Sequence, residues 1–221
     1  MKGPLWYQGL ELFGLVAFPT ALFFLVFSQF DLWQTLTAYQ LILSFIGGWL
    51  FSDFLSGVVH WGADTYGDEN TPFFGQGLIH PFREHHDLPG KMTTHSYLFT
   101  NGSLYFGSTL FLMSTLFFTS PLVKLNLIVL AFWVAHTNQI HKWAHCRPRE
   151  LSLFVKILFK LRIIISPKRH SNHHQGEFNQ SYCITSGWCN PILNHLNFWR
   201  RLERLIEVVT KPLSRLFLRA S

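Results

Sequence analysis

Long apolar runs alternate with polar segments along this chain. Four stretches contain at most one charged residue each, and they extend from Leu12 to Phe30, from Thr35 to His60, from Tyr97 to Ser120 and from Pro121 to Ile140. Each stretch has about the 20 residues with which a helix spans a bilayer. The first is long and lacks a small-residue cleavage site, which favours a retained helix over a signal peptide. The pattern predicts transmembrane helices at about 10–30, 36–60, 97–120 and 121–141.

The remaining segments are polar and are predicted to form a cap on one side of the membrane. The predicted fold class is all-α: an integral membrane bundle of about four helices in a single domain, 1–221, with the cap at 61–96 and 142–221. The tail predicts an amphipathic helix lying on the membrane surface. Packing of this helix on the cap is the alternative, and both arrangements are compatible. The apolar face of this C-terminal helix carries Phe198, Leu202, Leu205, Ile206 and Val209.

Basic residues predict the orientation of the bundle. With a cytoplasmic N-terminus, the outer loops at roughly 31–34 and 120–124 contain only Lys124 of the 18 lysines and arginines. This asymmetry is the positive-inside pattern of membrane proteins. The net charge of +6 is therefore a mark of topology, and the apolar content of 48% argues against nucleic-acid binding. The protein is expected to be a multi-pass membrane protein, located in the inner membrane of a bacterium or in the endoplasmic reticulum of a eukaryote.

Nine of the twelve histidines are candidate metal ligands, and all nine fall on the predicted cytoplasmic side. His141 and His145 are four residues apart, so they share one face of a helix. Adjacent histidines point in different directions, and nine ligands are too many for one ion, so the set suits two ions. The candidates are His60, His80, His85, His86, His141, His145, His170, His173 and His174.

Three further polar residues are expected to support these ligands. Asp53 and Asp64 lie on the helical stripe of His60, and Asn138 lies near the face of His141. Asp53 is expected to accept the second ring N–H of a ligating histidine, because ligating imidazoles usually have such a partner. The other three histidines, His95, His136 and His195, are interpreted as interface residues. The three cysteines form no C-x-x-C pair and are interpreted as structural.

Ligand type alone leaves the metal open, because imidazole binds iron, zinc, copper and nickel. A membrane haem protein would hold its ligands one per helix, so the adjacent His-His doublets disfavour it. A metal-transport protein is disfavoured because the ligands lie on one side only. A zinc metalloprotease would need H-E-x-x-H or H-x-x-E-H, and Glu84 misses the second pattern by one residue. A lipid hydroxylase shares the histidine pattern and stays open.

The order H-x4-HH, H-x3-H and H-x2-HH resembles the histidine boxes of integral-membrane di-iron lipid desaturases. The segments "SGVVHWGADTYG", "HPFREHH", "NQIHKWAH", "SPKRHSNHH" and "YCITSGWCNPILNHLNFWRRLE" resemble the plasmanylethanolamine desaturase family more closely, and the plant plastid desaturase of phosphatidylglycerol is similar. The resemblance implies two non-haem iron ions on the nine histidines. It also implies O2 and an electron donor of cytochrome b5 or ferredoxin type.

The implied reaction introduces a double bond beside the ether oxygen of an alkyl phospholipid, which converts a plasmanyl lipid to a plasmenyl lipid. Acyl-chain desaturation of phosphatidylglycerol is the alternative. No catalytic residue is expected beyond the metal ligands, since the oxidant must come from the metal.

Overall fold

Every regular element in the described part of the chain is helical. The computed structural model describes the backbone of residues 5–72 and 74–217 and the side chains up to residue 210. Lys2, which contributes to the positive-inside pattern, lies outside the described residues. The α-helices are α1 (Leu5–Ser28), α2 (Phe30–Trp33), α3 (Ala38–Thr65), α4 (His80–Asp87), α5 (Lys91–Thr94), α6 (Tyr97–Ser114), α7 (Pro121–His145), α8 (Leu153–Lys160), α9 (Pro167–His170), α10 (Asn190–His195) and α11 (Phe198–Phe217).

Four long helices, α1, α3, α6 and α7, coincide with the four apolar stretches. Within the described residues, α1 and α3 are long and apolar enough to cross a membrane. Helices α6 and α7 do not meet that criterion, so the number of spans stays a prediction. Helices α3 and α7 continue past their predicted ends, to Thr65 and His145. These additional turns carry polar residues of the candidate site.

Side-chain caps fix where the long helices begin. Thr37 and Gln40 form a capping box at the start of α3. Ser96 accepts the backbone N–H of Phe99 at the start of α6, and Ser120 caps α7 immediately before a proline. A capping hydroxyl satisfies a backbone donor that has no partner inside the helix.

Small residues allow the long helices to approach closely. Helix α6 packs along α1 and α7, and α3 packs along α7. A Cβ on Gly14 would lie 2.4 Å from the backbone nitrogen of Phe106, and a Cβ on Gly48 would lie 2.7 Å from a methyl group of Val129. Such contacts are typical of helix packing in membranes. The core between these helices includes Phe18, Leu25, Tyr105, Leu112, Ile128, Ala131 and Ala135.

The chain that follows α7 folds back along α3 and α7. The Trp49 indole of α3 donates to the carbonyl of Ile163 at 2.9 Å, and the hydroxyls of Thr137 and Thr185 are 2.9 Å apart. The backbone N–H of Ile165 donates to the carbonyl of Thr185. This part of the predicted cap therefore contacts the two long helices well before their C-terminal ends.

Candidate metal centre

Four parts of the chain bring eight of the nine candidate histidines together. His60 comes from the last turns of α3, and His85 and His86 come from the end of α4. Helix α7 supplies a pair of histidines four residues apart at its end. The remaining three are His170, His173 and His174, at the end of α9 and in the turn that follows it.

The first group contains five histidines, whose ligand nitrogens lie within 4.8 Å of one another: His85, His141, His145, His170 and His174. The Nε2 atom of His170 is 3.0 Å from that of His141 and 2.9 Å from that of His145. It is 3.1 Å from the Nε2 atom of His174. Four ring nitrogens therefore point at one small volume.

The second group lies beside the first and shares His85 with it. Its members are His60, His85, His86 and His173. The Nε2 atoms of His86 and His173 are 3.0 Å apart. The carboxylate oxygen Oδ2 of Asp64 lies 3.3 Å from Nε2 of His60 and 3.5 Å from Nε2 of both His86 and His173. Asp64 thus joins the ligand nitrogens, whereas the sequence predicted a supporting role for it.

Several of these converging atoms are buried and lack a hydrogen-bond partner. They include Nε2 of His60, both ring nitrogens of His85 and both carboxylate oxygens of Asp64. Although Oδ2 of Asp64 is close to three imidazoles, neither carboxylate oxygen makes a hydrogen bond. A buried polar group without a partner is costly. A cation bound at this point would satisfy Nε2 of His60, one ring nitrogen of His85 and the carboxylate of Asp64.

The histidines at the end of α4, in α9 and in the turn after α9 have lowered pKa values, which keeps them neutral near pH 7. Burial lowers the pKa of His86, His173 and His174 to about 4. Burial also lowers the pKa of His85 and His170 far below the usual range, and the neighbouring histidines add to this effect. Imidazole binds metal in its neutral form. The protein environment therefore favours the protonation state that a metal site needs.

Backbone carbonyls orient two of the ligands. The Nδ1 atom of His60 donates to the carbonyl of Tyr182 at 3.1 Å, and Nδ1 of His173 donates to the carbonyl of Gln180 at 2.8 Å. With Nδ1 protonated, Nε2 carries the free lone pair that faces the site. The sequence pattern did not predict these contacts, because a backbone acceptor carries no residue signature.

Asp53 supports the site by a different contact from the expected one. The prediction that its carboxylate contacts a ligating histidine is wrong. Its Oδ1 accepts the backbone N–H groups of Ser186 and Gly187 at 2.7 and 2.8 Å, and its Oδ2 accepts that of Cys189 at 3.0 Å. Arg169 donates to the carbonyls of the same Ser186 and Gly187. The Asp53 carboxylate therefore binds the N–H groups of this turn, and the oppositely charged Arg169 binds its carbonyls.

Amide and hydroxyl side chains fix the rest of the same segment. Asn190 accepts from the N–H of Cys183 and donates to its carbonyl. Asn194 accepts from the N–H of Ser181, and the Ser56 hydroxyl accepts from that of Ile184. Residues 181–189 are thereby anchored on α3 and α10. The carbonyls of Gln180 and Tyr182 are held in place as a result.

The structure places two other sequence candidates away from the ligand nitrogens. The ring of His80 lies 3.5 Å from a carboxylate oxygen of Glu69 and 3.6 Å from one of Glu84. His80 therefore belongs to neither group. Asn138 donates to the carbonyl of Thr100, so it links α7 to α6.

The three histidines that were interpreted as interface residues also lie outside both groups. His136 contacts the hydroxyl of Tyr105 through Nε2 and the carbonyl of Phe132 through Nδ1. The ring of His95 packs against Phe99, and His195 is exposed.

Aromatic rings cover the second group. Phe82 packs edge-on against His60 with ring centroids 4.9 Å apart. Phe178 stacks on His86 at 4.6 Å, and its backbone has a φ of 51°, which is unusual for a residue other than glycine. Such backbone strain is common near functional sites. The aromatic cover limits the access of water to the ligand nitrogens.

Comparisons with known proteins agree with the chemistry of the site. The profile of the family described as lipid desaturase domain matches residues 49–216. The chain is 39% identical to plasmanylethanolamine desaturase 1 of Mus musculus over 179 residues, which cover 76% of this chain and 66% of that protein. It is 36% identical to plasmanylethanolamine desaturase of Myxococcus xanthus over 216 residues, which cover 94% of this chain and 75% of that protein.

A plant protein is a more distant relative. Fatty acid desaturase 4, chloroplastic, of Arabidopsis thaliana is 32% identical over 157 residues, which cover 71% of this chain and 48% of that protein. No solved structure matches the chain.

Proposed function

Because the chain belongs to the lipid desaturase family, we propose that it is a membrane di-iron enzyme that desaturates a phospholipid chain close to its headgroup. The family assignment confirms the resemblance that the histidine motifs indicated. The observation that carries the proposal is the convergence of eight histidines and Asp64 in two adjoining groups. Nothing else in the described part of the chain offers a comparable set of metal ligands.

The donor set fits two metal ions. In the proposed assignment, one ion is held by His141, His145, His170 and His174, the other is held by His60, His86, His173 and Asp64, and His85 lies between them. Iron is compatible with imidazole and carboxylate ligands. When bound, iron supplies the oxidising power that removes hydrogen from an unactivated C–H bond, which no side chain can do.

The protein's own residues prepare the ligands for this role. The carbonyls of Gln180 and Tyr182 fix the ring orientation and tautomer of His173 and His60. The packing of Phe82 and Phe178 limits water around the ligand nitrogens. A preorganised site of this kind avoids rearrangement of its ligands during the reaction.

The position of the site favours a target carbon near the lipid headgroup. The histidines lie at the ends of α3 and α7, which we propose to be the cytoplasmic membrane surface. The vinyl-ether bond of a plasmenyl lipid also lies next to the glycerol. The two relatives with the higher identities are named plasmanylethanolamine desaturases. We therefore assign a plasmanyl phospholipid as the substrate, with O2 and an external electron donor of cytochrome b5 or ferredoxin type as co-substrates.

Lipid mass spectrometry tests the assignment directly. The chain is expressed in a host that lacks plasmalogens and is supplied with an alkyl-ether phospholipid. We expect a plasmenyl product, two hydrogens lighter than its precursor and cleaved by acid. The His173→Ala variant, measured at equal membrane abundance, should give almost none.

Three other results would contradict this substrate assignment. An unsaturated acyl chain on phosphatidylglycerol would favour the activity that the name of the plant relative indicates. A hydroxylated ether lipid would indicate a hydroxylase. An unchanged lipid profile, with the protein inserted and iron-loaded and an electron donor supplied, would remove the ether lipid as substrate.

A further inference from the structure

Part of the polar chain after α7 lies beside the membrane-spanning portion of α3. The Trp49 indole donates to the carbonyl of Ile163, three residues after α8. Trp49 precedes His60 by eleven residues, or about 16 Å along the helix. The hydrocarbon core of a bilayer is about 30 Å thick. If the histidines mark its cytoplasmic boundary, the end of α8 approaches α3 at a level below that boundary.

Helix α10 reaches α3 at a similar level. An open apolar groove of about 370 Å³ separates the two helices, and it is lined by Gly47, Leu50, Phe51, Phe54, Cys189, Ile192 and Leu193. Ile192 is nonetheless 65% exposed. Because this apolar side chain is largely exposed on the outside of the bundle, it needs an apolar environment. The Cys189 thiol, immediately before α10, also donates to the carbonyl of Leu50 in α3 at 3.5 Å. Together with the bond from Trp49 to Ile163, this contact places the chain beyond α7 alongside the predicted span.

Helix α8 has three distinct faces. Val155, Leu158 and Phe159 pack on residues of α7 such as Ile140 and Ala144. A second face is apolar but exposed: Leu153 is 73%, Phe154 66%, Ile157 45% and Leu161 62% exposed. The third face carries Lys156 and Lys160, and α8 contains no acidic residue.

These faces match a helix at the boundary between protein, acyl chains and headgroups. A helix in water needs only a packed face and a polar face. The exposed apolar face requires a further partner, and the adjoining lysines can extend to anionic headgroups while their stems stay in apolar surroundings. The partner must therefore be apolar on one side and negatively charged on the other. Phospholipid has that chemistry.

We propose that α8 and α10 are embedded in the cytoplasmic leaflet, with Phe154, Ile157 and Ile192 among the acyl chains and the ammonium groups of Lys156 and Lys160 extending towards the phosphates. Helices α8 and α10 then pack on α3 and α7 within the membrane. This packing would hold the histidine centre at the depth of the first carbons of a lipid chain. The proposal requires α3 and α7 to cross the membrane, but it does not depend on the reaction catalysed.

Spin-label accessibility in the full-length protein tests this placement. Phe154→Cys, Ile157→Cys and Ile192→Cys are labelled in vesicles of phosphatidylethanolamine and phosphatidylglycerol. Lys156→Cys is the matched control on α8, and Asn70→Cys, in the exposed loop after α3, is the aqueous control. The unsubstituted chain, with Cys146, Cys183 and Cys189, provides the background signal. Collision with oxygen and with a water-soluble nickel chelate reports the depth of each label.

We expect labels at 154, 157 and 192 to collide with oxygen more than with the nickel chelate, and the label at 70 to show the reverse. The label at 156 should be intermediate. High nickel accessibility at 154, 157 and 192 would place these helices in water and overturn the proposal. Low accessibility of these labels to both reagents would indicate that protein covers them, and this result would also overturn the proposal. Because no arm measures desaturation, the result is independent of the substrate assignment.

Discussion

His173 and His195 provide the sharpest comparison between a proposed ligand and a histidine without that role. His173 is fully buried, with Nε2 facing the second group and Nδ1 on the carbonyl of Gln180. His195 is exposed at the end of α10. We expect His173→Ala to lose nearly all desaturation and part of the bound iron, whereas His195→Ala keeps substantial activity. Product formed and iron bound per folded protein are the measurements. Equal behaviour of the two variants would refute the ligand assignment.

His80 is the residue at which box spacing and structure disagree. The spacing places it with His85 and His86, whereas its ring lies between Glu69 and Glu84. We expect His80→Ala to keep the full iron content and a measurable part of the activity. His85→Ala, five residues along the same helix, is the matched variant and should lose both. Iron loss in His80→Ala equal to that in His85→Ala would restore the prediction from spacing.

Asp53 is expected to act on the ligands through the backbone. Asp53→Ala removes the acceptor of three N–H groups and leaves Arg169 on the same turn without its opposite charge. The carbonyl of Tyr182, and with it His60, should then be less well fixed. We expect activity to fall about 10–100-fold, as for other groups that support metal ligands. Asp31→Ala, at an exposed aspartate in α2, is the control and should match the unsubstituted chain.

The proposed route through the backbone can be separated from a general loss of folding. If Asp53 acts by positioning His60, Asp53→Ala should change the spectroscopic signature of the iron centre while the protein remains monodisperse. Asp53→Glu, which restores the charge, should recover part of that signature. A normal signature together with lower thermal stability would reduce Asp53 to a structural residue.

At the scale of elements, the close approach of α1 and α6 depends on glycine. A Cβ on Gly14 would meet the backbone of Phe106 at 2.4 Å, whereas a Cβ on Gly107 would meet nothing within 4 Å. We expect Gly14→Ala to destabilise the protein by about 1–3 kcal/mol, the range typical of overpacking. Gly107→Ala should be neutral or slightly stabilising, because alanine favours helix. Thermal unfolding in detergent distinguishes them, and equal midpoints would refute this packing.

For the whole molecule, topology is the first prediction. Seventeen of the 18 basic residues are predicted to lie on one side of the membrane. A tag inserted at residue 32 or 122 should therefore react with an impermeant reagent from outside the cytoplasm, and a tag at either terminus should not. Outside labelling of the C-terminus would contradict the cytoplasmic placement of the histidines.

Metal content is the second whole-molecule prediction. Protein purified from iron-replete cells should contain two iron atoms per chain and show no haem absorbance, because the ligands form two groups of imidazoles. Chelation should abolish desaturation, and added iron should restore it. Stoichiometric zinc in a fully active preparation would refute iron as the metal.

The sequence by itself determined the all-helical bundle, the positions of its long helices and the set of histidines. These features follow from local pattern: the length of an apolar run and the spacing of ligands by helical turns. The eight histidines that converge were all among the nine candidates. His80 was included because spacing cannot show which way a side chain faces once its helix is docked.

Only the tertiary structure decided how the ligands are divided and what holds them. Asp64 joins the second group because α3 places it opposite His86 and His173, which are distant in sequence. Asp53 binds a turn more than 130 residues away, and His60 is oriented by a backbone carbonyl. Such contacts depend on how separate segments pack, and a backbone acceptor is available at every residue. No local pattern can therefore select them.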